Sequence, residues 1–345
     1  MSAATSSAPF RPISSEDVPW TEFSQVPNFG IRYRHLTLAA MGETYRVGVA
    51  IEELAPGLRS NPAHYHFHEE EHVLVLDGSM TVRFGDEAYA VQAGDYACFP
   101  AGLRAGHCFI NNGGAVCRYV ILGENRPDDV AVYPDSNKIL VRPMGRRAIY
   151  DMAALRAYWD GEDTGLAAGE RPPPEATGIP EATDRPLPPI SSNDVEWNEE
   201  GTGGSTFGGR SRHLTLAAVG SENYHVGVLI ESPAPGMRLA PRHYHMLEEE
   251  HALVLEGEVT LLLGDERHVM KPGDYVCFPA GRKFGHSFLN SGSGPCRYLM
   301  IGERNPDEVI VYPDSNKVMV RALRSEDDIF DMAATRGYWD GEEAV

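Results

Sequence analysis

The stretch HYHFHEEEHVLVLDG, His64 to Gly78, places histidines and three consecutive glutamates directly before an apolar run. The run VLVL, next to an Asp-Gly turn signal, predicts a β-strand that enters a protein core. Ionisable side chains are costly to bury beside such a strand unless another group pairs with them. The stretch therefore raises the question of what His64, His66 and the glutamates hold.

The same stretch returns later in the chain as HYHMLEEEHALVLEG, His243 to Gly257. Other segments return in the same order: RHLTLAAMG from Arg34 as RHLTLAAVG from Arg212, and GDYACFPAG from Gly94 as GDYVCFPAG from Gly273. Two copies of about 150 residues each predict tandem domains, since a solenoid stacks many shorter units.

A segment between the copies, DTGLAAGERPPPEATGIPEATDRPLPPI, is rich in Pro, Gly, Ala and charge. This composition is typical of a semi-extended linker and is poor in helix-forming pattern. We therefore predict a first domain over residues 1–162, a Pro/Gly-rich linker over 163–189 and a second domain over 190–345.

Each copy has the pattern of an all-β domain. Runs such as YRVGVAIEEL and CRYVILGE are short, rich in β-branched residues and separated by Gly-Asp or Asp-Gly turns. Several strands at this spacing predict a sandwich or a barrel. Helix is expected only in two short tails, DMAALRAYW from Asp151 and DMAATRGYW from Asp331, where the aspartate would be the N-cap.

Charge and cysteine usage limit the partners and the compartment. With 30 basic and 50 acidic residues the net charge is -20, which disfavours nucleic acid and anionic membranes as partners. No apolar run approaches 18 residues, and the first residues lack the basic and apolar regions of a signal peptide. The five cysteines lie mostly in apolar, strand-like runs and predict buried free thiols, so we expect a cytoplasmic protein.

The histidine pairs predict metal binding. Residues two apart on a strand share one face, so His64 and His66 project together, as do His243 and His245. Imidazoles with a nearby carboxylate suit a divalent transition metal such as Fe, Mn, Ni, Co or Zn. We therefore expect up to two such ions per chain.

The remaining ligands must come from other parts of each copy. PAGLRAGHCFIN supplies His107 and PAGRKFGHSFLN supplies His286, each on a strand after a Pro-Gly turn. Glu71 and Glu250 follow the second histidine of each pair by five residues, which allows a turn and re-entry on the next strand. An exposed polar strand face would explain one HxH pair alone, but the same combination occurs twice in the same order.

The order Gly, HxH, Glu, Gly, followed by Gly, PxG, His and Asn, resembles the two sequence motifs of the cupin superfamily, and both copies carry it. The resemblance implies a bicupin with two jelly-roll β-barrels. It also implies two ligand sets: His64, His66, Glu71 and His107 for the first ion, and His243, His245, Glu250 and His286 for the second. Glu70 or Glu249 would ligate instead if the turn were tighter.

Three neutral imidazoles and one carboxylate would leave a divalent ion with one net positive charge and two open octahedral positions. Open positions are typical of a catalytic site. Glu71 and Glu250 would also be catalytic bases if they dissociated from the ion. The resemblance points to bicupins with this ligand set, which include oxalate decarboxylases and oxidases and quercetin-type dioxygenases. We therefore predict a dioxygenase-like oxidoreductase that acts on a small organic acid or a phenolic compound.

Two other functions stay open at this point. One is a redox-neutral isomerase, epimerase or lyase acting on a sugar or a hydroxy acid. The other is a non-catalytic binding or storage bicupin. In each case the partner is a small molecule, and a homo-oligomer is plausible because cupins associate through strand exchange or sheet packing.

Overall fold

The structure is a computed structural model that describes residues 10–145, 148–156, 158, 162, 184–323, 328–338 and 340. Within these residues the chain is nearly all β, with 28 strands, two α-helices and five 3₁₀ helices. The all-β prediction is confirmed. The predicted linker falls mostly outside the described residues, and the predicted domain limits stay a prediction.

The elements recur in the same order in the two repeats. The strands of the first repeat are β1 (Ile13–Ser14), β2 (Thr21–Val26), β3 (Phe29–His35), β4 (Val47–Leu54), β5 (Tyr65–His66), β6 (Glu71–Asp77), β7 (Ser79–Phe84), β8 (Glu87–Gln92), β9 (Asp95–Phe99), β10 (His107–Ile110), β11 (Cys117–Glu124), β12 (Val130–Tyr133), β13 (Lys138–Val141) and β14 (Ile149–Asp151). Those of the second repeat are β15 (Ile190–Ser191), β16 (Asn198–Gly201), β17 (Gly208–His213), β18 (Val226–Pro233), β19 (Tyr244–His245), β20 (Glu250–Glu256), β21 (Val259–Leu263), β22 (Glu266–Met270), β23 (Asp274–Phe278), β24 (His286–Leu289), β25 (Arg297–Glu303), β26 (Val309–Tyr312), β27 (Lys317–Val320) and β28 (Ile329–Asp331). The α-helices are α1 (Leu36–Met41) and α2 (Leu214–Val219), and the 3₁₀ helices are Ser15–Asp17, Pro134–Ser136, Arg142–Met144, Pro313–Ser315 and Arg321–Leu323.

Each repeat forms one jelly-roll barrel from three antiparallel sheets. In the first barrel the sheets have the orders β15-β9-β6-β11-β4-β3-β2, β10-β7-β8 and β14-β13-β12-β5. The second barrel has the equivalent orders β1-β23-β20-β25-β18-β17-β16, β22-β21-β24 and β19-β26-β27-β28. Apolar side chains such as Phe84 and Tyr119 fill the first interior, and Leu261 and Tyr298 fill the second.

The first strand of each repeat pairs with the barrel of the other repeat. In β1, Ile13 pairs with Tyr275 of β23, and in β15, Ile190 pairs with Tyr96 of β9. This exchange ties the two barrels together through backbone hydrogen bonds and adds an edge strand to each large sheet.

A shared apolar core lies between the barrels. Buried residues from the outer face of each large sheet form one cluster, including Val49 and Leu74 of the first repeat and Val228 and Leu253 of the second. Because successive residues of a strand point to opposite faces, each large sheet supplies one face to its barrel and the other to this core.

Hydrogen-bonded polar groups also cross this core. The Tyr96 hydroxyl lies 2.6 Å from Nδ1 of His72 and 2.9 Å from the Thr215 hydroxyl of the other repeat. The Tyr275 hydroxyl makes the equivalent contacts with His251 and Thr37, both at 2.7 Å. Satisfied polar groups of this kind fix one arrangement of the two barrels, because any slip would leave buried donors and acceptors unpaired.

The prediction that helix is confined to the tails is wrong. The helices α1 and α2 lie in the RHLTLAA repeat and pack on the opposite barrel, at β23 and β9. A histidine caps each helix, since Nδ1 of His35 accepts the backbone N–H of Leu38 and Nδ1 of His213 that of Leu216, both at 3.1 Å. These histidines therefore have a structural role.

The described parts of the two tails contain no helix. Asp151 and Asp331 end strands β14 and β28, and turns follow them. The Oδ1 atom of Asp151 accepts the N–H of Ala153 at 2.9 Å, and that of Asp331 accepts the N–H of Ala333 at 2.8 Å. An aspartate bonded two residues ahead in this way stabilises a turn and competes with helix formation.

Two other expectations concern cysteines and membranes. All five cysteines are free and buried, as the sequence predicts. Among the described residues, no helix has the length and apolar character needed to cross a membrane.

We predict that Tyr96→Phe lowers the free energy of unfolding by about 1–3 kcal/mol, because His72 and Thr215 each lose a buried partner. Urea denaturation measures the change. The control Tyr150→Phe removes the hydroxyl of a tyrosine that is 49% exposed and should change stability by less than about 0.5 kcal/mol. Equal effects of the two variants would contradict this account of the interface.

Candidate metal centre

The three consecutive glutamates of each repeat point to three different partners. Glu69 pairs with Arg142, whose Nη2 lies 2.8 Å from Oε2. Glu70 crosses to the other repeat, where Oε1 accepts the backbone N–H of Val226 at 3.1 Å. Glu71 turns into its own barrel, where Oε2 faces the Nε2 atoms of the histidines, whereas Glu69 lies on the Nδ1 side of His66 at 3.4 Å. The structure therefore favours Glu71 over Glu70 as the acid of the predicted site.

The first barrel brings its four predicted ligands together around one oxygen. Oε2 of Glu71 lies 2.9 Å from Nε2 of His107, 3.4 Å from Nε2 of His66 and 3.7 Å from Nε2 of His64. The backbones of His64 and His107 are hydrogen-bonded to each other in an antiparallel bridge. This bridge brings the HxH stretch next to the strand of the distant third histidine.

The second barrel repeats the arrangement. Oε2 of Glu250 lies 2.9 Å from Nε2 of His286, 3.1 Å from Nε2 of His245 and 3.9 Å from Nε2 of His243. His243 and His286 form the same antiparallel bridge. All eight residues that the resemblance implies as ligands therefore lie in one of two compact clusters, and the alternatives Glu70 and Glu249 do not.

Neighbouring groups orient the imidazoles. Nδ1 of His64 lies 3.0 Å from the carbonyl oxygen of Pro62, and Nδ1 of His66 lies 2.7 Å from Oδ2 of Asp129. The Phe99 ring stacks on the His107 ring with centroids 3.8 Å apart. When Nδ1 donates a proton to such an acceptor, the Nε2 lone pair points to the centre, which is the usual arrangement of a metal-binding histidine.

The supporting groups differ slightly in the second barrel. Nδ1 of His243 lies 2.8 Å from the carbonyl oxygen of Pro241. Nδ1 of His245 lies 3.3 Å from Oε2 of Glu248 and 3.7 Å from Oε1 of Glu308. Glu308 takes the place that Asp129 has in the first repeat. Phe278 stacks on His286 with centroids 3.8 Å apart.

Burial and mutual charge shift the pKa values in each cluster. Burial and the neighbouring His107 lower the pKa of His64 to about 3. Burial also lowers the pKa of His66, but the Glu71 and Asp129 carboxylates outweigh it and raise that pKa to about 10. Burial raises the pKa of Glu71, whereas the charge of His66 and the hydrogen bond from His107 hold it well below its ordinary value. A proton on His66 thus balances the Glu71 charge, a role that a bound cation would also perform.

The donor set fits a divalent transition metal. Metal bonds of about 2.0–2.2 Å at right angles place neighbouring ligand atoms roughly 3 Å apart, close to the spacings around Glu71 and Glu250. Nε2 of His66 and Nε2 of His245 are buried and have no well-formed hydrogen bond among the described residues. Such nitrogens are costly to bury without a partner, and a metal ion would supply one.

Other groups of ionisable side chains are better explained by hydrogen bonding. The carboxylates of Glu69 and Asp129 lie beside the Arg142 guanidinium, which would repel a cation. Glu70 and His72 lie next to each other in the interface, with Oε1 and Nε2 3.1 Å apart. Glu70 already accepts two backbone N–H groups there.

Comparison with known families identifies a cupin domain in each repeat. The cupin domain model matches residues 50–123 and 229–302, one match in each repeat, and both matches include the HxH pair and its glutamate. The chain therefore contains two cupin domains, one in each repeat, and is a bicupin.

Individual cupins resemble the chain over much of its length. A quercetin 2,3-dioxygenase from Bacillus subtilis (strain 168) is 26% identical over 233 residues, which make up 64% of this chain and 63% of that protein. The matched region thus spans less than two thirds of this relative.

Two solved structures share the fold of the whole bicupin. An oxalate decarboxylase variant from Bacillus subtilis has a TM-score of 0.54 and 16% identity, covering 91% of this chain and 81% of its own. An oxalate decarboxylase from Lactobacillus farciminis, in a formate complex, has a TM-score of 0.54 and 18% identity, covering 90% of each chain. At this identity the likeness shows the fold alone.

A cavity of about 920 Å³ opens beside the first cluster of this bicupin. Glu71 lines it together with Phe23, Ile31, Tyr33 and Glu52. Ligand sites of this size are usual for small molecules. One predicted ligand, Glu71, therefore borders a cavity large enough for a small molecule.

Sequence analysis missed Glu52 and its equivalent Glu231. Each interrupts the apolar strand VGVAIEEL or VGVLIESP, and a charge repeated at the same place in both copies was the available signal. The Tyr119 hydroxyl donates to Oε2 of Glu52 at 2.8 Å, and the Tyr298 hydroxyl donates to Oε2 of Glu231 at 2.7 Å. Burial raises the pKa of each carboxyl to about 7, against the effect of the tyrosine hydrogen bond.

We predict that the metal-replete wild-type protein holds two transition-metal ions per chain. His64→Ala and His243→Ala should each lose one ion and the double variant both, because a missing imidazole weakens only its own site. Inductively coupled plasma mass spectrometry measures the content. His68→Ala is the matched control, since His68 is exposed within the same stretch, and loss of metal in that variant would contradict the assignment.

We predict that the double variant Glu52→Gln/Glu231→Gln changes the melting temperature of the metal-free protein in a pH-dependent way. A carboxyl whose pKa is raised on folding is accommodated in its protonated form, and its contribution to stability is lost as pH rises through about 7. Glutamine is neutral throughout, so the melting temperature of the variant relative to wild type should increase between pH 5 and pH 7, the interval between the ordinary carboxyl pKa of 4.5 and the raised pKa of about 7. Exposed Glu87→Gln should show no such trend, and a parallel response of the two variants would disprove the effect.

Proposed function

We propose that this bicupin is a metal-dependent oxidoreductase of the dioxygenase type, acting on a phenolic compound or a small organic acid. The observation that carries the proposal is the convergence of three imidazoles and one carboxylate beside an open cavity in the first barrel, with the same cluster in the second. The likeness to a quercetin 2,3-dioxygenase supports the reaction type.

The ligands in this proposal are those named from the sequence. His64, His66, Glu71 and His107 would hold one ion, and His243, His245, Glu250 and His286 the other. A bound transition metal would supply Lewis acidity and, with Fe, Mn, Co or Ni, a route for electrons, whereas Zn would supply Lewis acidity alone.

The chain itself would provide binding, orientation and proton handling. The cavity walls hold the substrate next to the cluster, and the stacked Phe99 keeps the His107 ring in place and excludes water from its face. Glu71, and Glu250 in the second barrel, would act as the base that receives a substrate hydroxyl proton. Glu71 can do this because it belongs to the cluster and also lines the cavity.

We predict that metal-replete protein consumes O2 with a phenolic substrate such as quercetin. Turnover should stop under strictly anaerobic conditions and return when O2 is readmitted. An oxygen electrode and chromatography of the products measure both. The His64→Ala/His243→Ala variant serves as the control for background oxidation of the phenol.

Turnover that continues without O2 would contradict the oxidoreductase proposal and indicate a redox-neutral enzyme. Absence of any bound transition metal after metal-replete purification would instead indicate a binding or storage protein. Homo-oligomerisation and cytoplasmic localisation stay predictions.

A further inference from the structure

The cavity beside the first cluster has an apolar wall made by two strands. Phe23 of β2 pairs directly with Ile31 of β3, and Tyr33 follows on the same face of β3. An aromatic ring, an aliphatic side chain and a phenol ring in a row form a surface that suits an apolar or aromatic ligand.

The second barrel replaces this wall with small and acidic residues. The RHLTLAA repeat aligns Tyr33 with Ser211 and Ile31 with Gly209. Gly209 pairs with Glu200, which therefore occupies the position of Phe23. None of the three apolar side chains has an apolar counterpart.

The backbone explains one of these replacements. A Cβ atom on Gly209 would lie 2.5 Å from the carbonyl oxygen of Ser232, and its φ of 148° suits glycine. The second barrel therefore has no room for the equivalent of Ile31. The backbone conformation thus requires glycine at position 209. Glu200 and Ser211, by contrast, are differences in side chain and not in backbone.

Acidic groups dominate the second wall. The Ser211 hydroxyl donates to Oε1 of Glu200 at 2.8 Å. Burial raises the pKa of Glu231, a hydrogen bond from Tyr298 opposes this rise, and the charges of Glu250 and Glu200 add to it. A planar apolar ligand finds no aromatic or aliphatic side chain at the three positions that correspond to Phe23, Ile31 and Tyr33.

The first cavity also has polar groups that favour a phenol over a carboxylate. Within the described part of the chain, Glu52, Glu71 and Glu124 line it against one cation, Arg142, which already pairs with Glu69, so an anionic acid would meet an excess of acidic groups. Among the described residues, Oε2 of Glu52 accepts the Tyr119 hydroxyl and Oε1 accepts no hydrogen bond, which leaves Oε1 available to a ligand hydroxyl.

We propose that the first barrel alone is the binding site for a phenolic substrate, and that Phe23 and Tyr33 determine this specificity by forming its aromatic wall. The proposal rests on the proposed function for the substrate class, but its test measures binding and does not need turnover. The two barrels of one chain thus have different ligand preferences, although their metal clusters match.

The test is isothermal titration calorimetry of the metal-replete full chain, with quercetin as the phenol probe and oxalate as the acid probe. We expect one quercetin per chain in the wild type. Phe23→Glu/Tyr33→Ser, which gives the first wall the residues of the second, should weaken quercetin binding at least tenfold. The matched variant Glu200→Gln/Ser211→Ala should change it less than twofold.

Metal content should remain at the wild-type level in both variants, which shows that folding and the clusters are intact. Two quercetin molecules per chain, equal weakening by the two variants, or tighter binding of oxalate than of quercetin would each overturn the proposal. Absence of O2 consumption with the binding pattern preserved would refute the proposed reaction and leave this inference standing.

Discussion

Each barrel is organised around a carboxylate that three imidazoles enclose. Glu71 and Glu250 lie among ring nitrogens at 2.9 to 3.9 Å. Burying this many ionisable groups is tolerable only if they neutralise one another or a cation joins them. The strand that follows each glutamate, the bridge between HxH and the distant histidine, and the stacked phenylalanine all keep this group of atoms in one place.

The glutamate run links this constraint to the rest of the molecule. Its first residue pairs with an arginine, its second accepts backbone N–H groups from the opposite repeat, and its third enters the barrel. A single short stretch therefore sets the position of the cluster and joins the two barrels. Exchange of the first strand of each repeat strengthens the same joint. The two sites consequently lie in barrels that share one core and one pair of exchanged strands.

The barrels and the grouping of the candidate ligands could be predicted from the sequence because their signals are local or repeated. The HxH pairs and the third histidines follow from strand alternation and motif order, and the duplication shows which residues matter. The sequence named Glu71 and left Glu70 as an alternative, and the coordinates favour Glu71 because the turn before β6 decides which side chain enters the barrel. The shared core could not be predicted, because it depends on how two repeats pack and no local pattern records that.

Other errors have equally specific causes. The six-residue helix α1 is short and capped by His35, which is an unusual cap, so it gave no standard start signal. The tails after Asp151 resemble capped helices, but the aspartate stabilises a turn instead. Glu52 lies in a strand that alternates correctly, and only its barrel-facing position makes it unusual.

Anomalous diffraction from crystals of the metal-replete protein, measured at the absorption edge of the bound metal, tests the central claim most directly. The account predicts two peaks per chain, each within about 2.0–2.3 Å of three histidine Nε2 atoms and one oxygen of Glu71 or Glu250. Peaks at Glu70, His72 and Cys98 in the interface, or no peak at either glutamate, would contradict it.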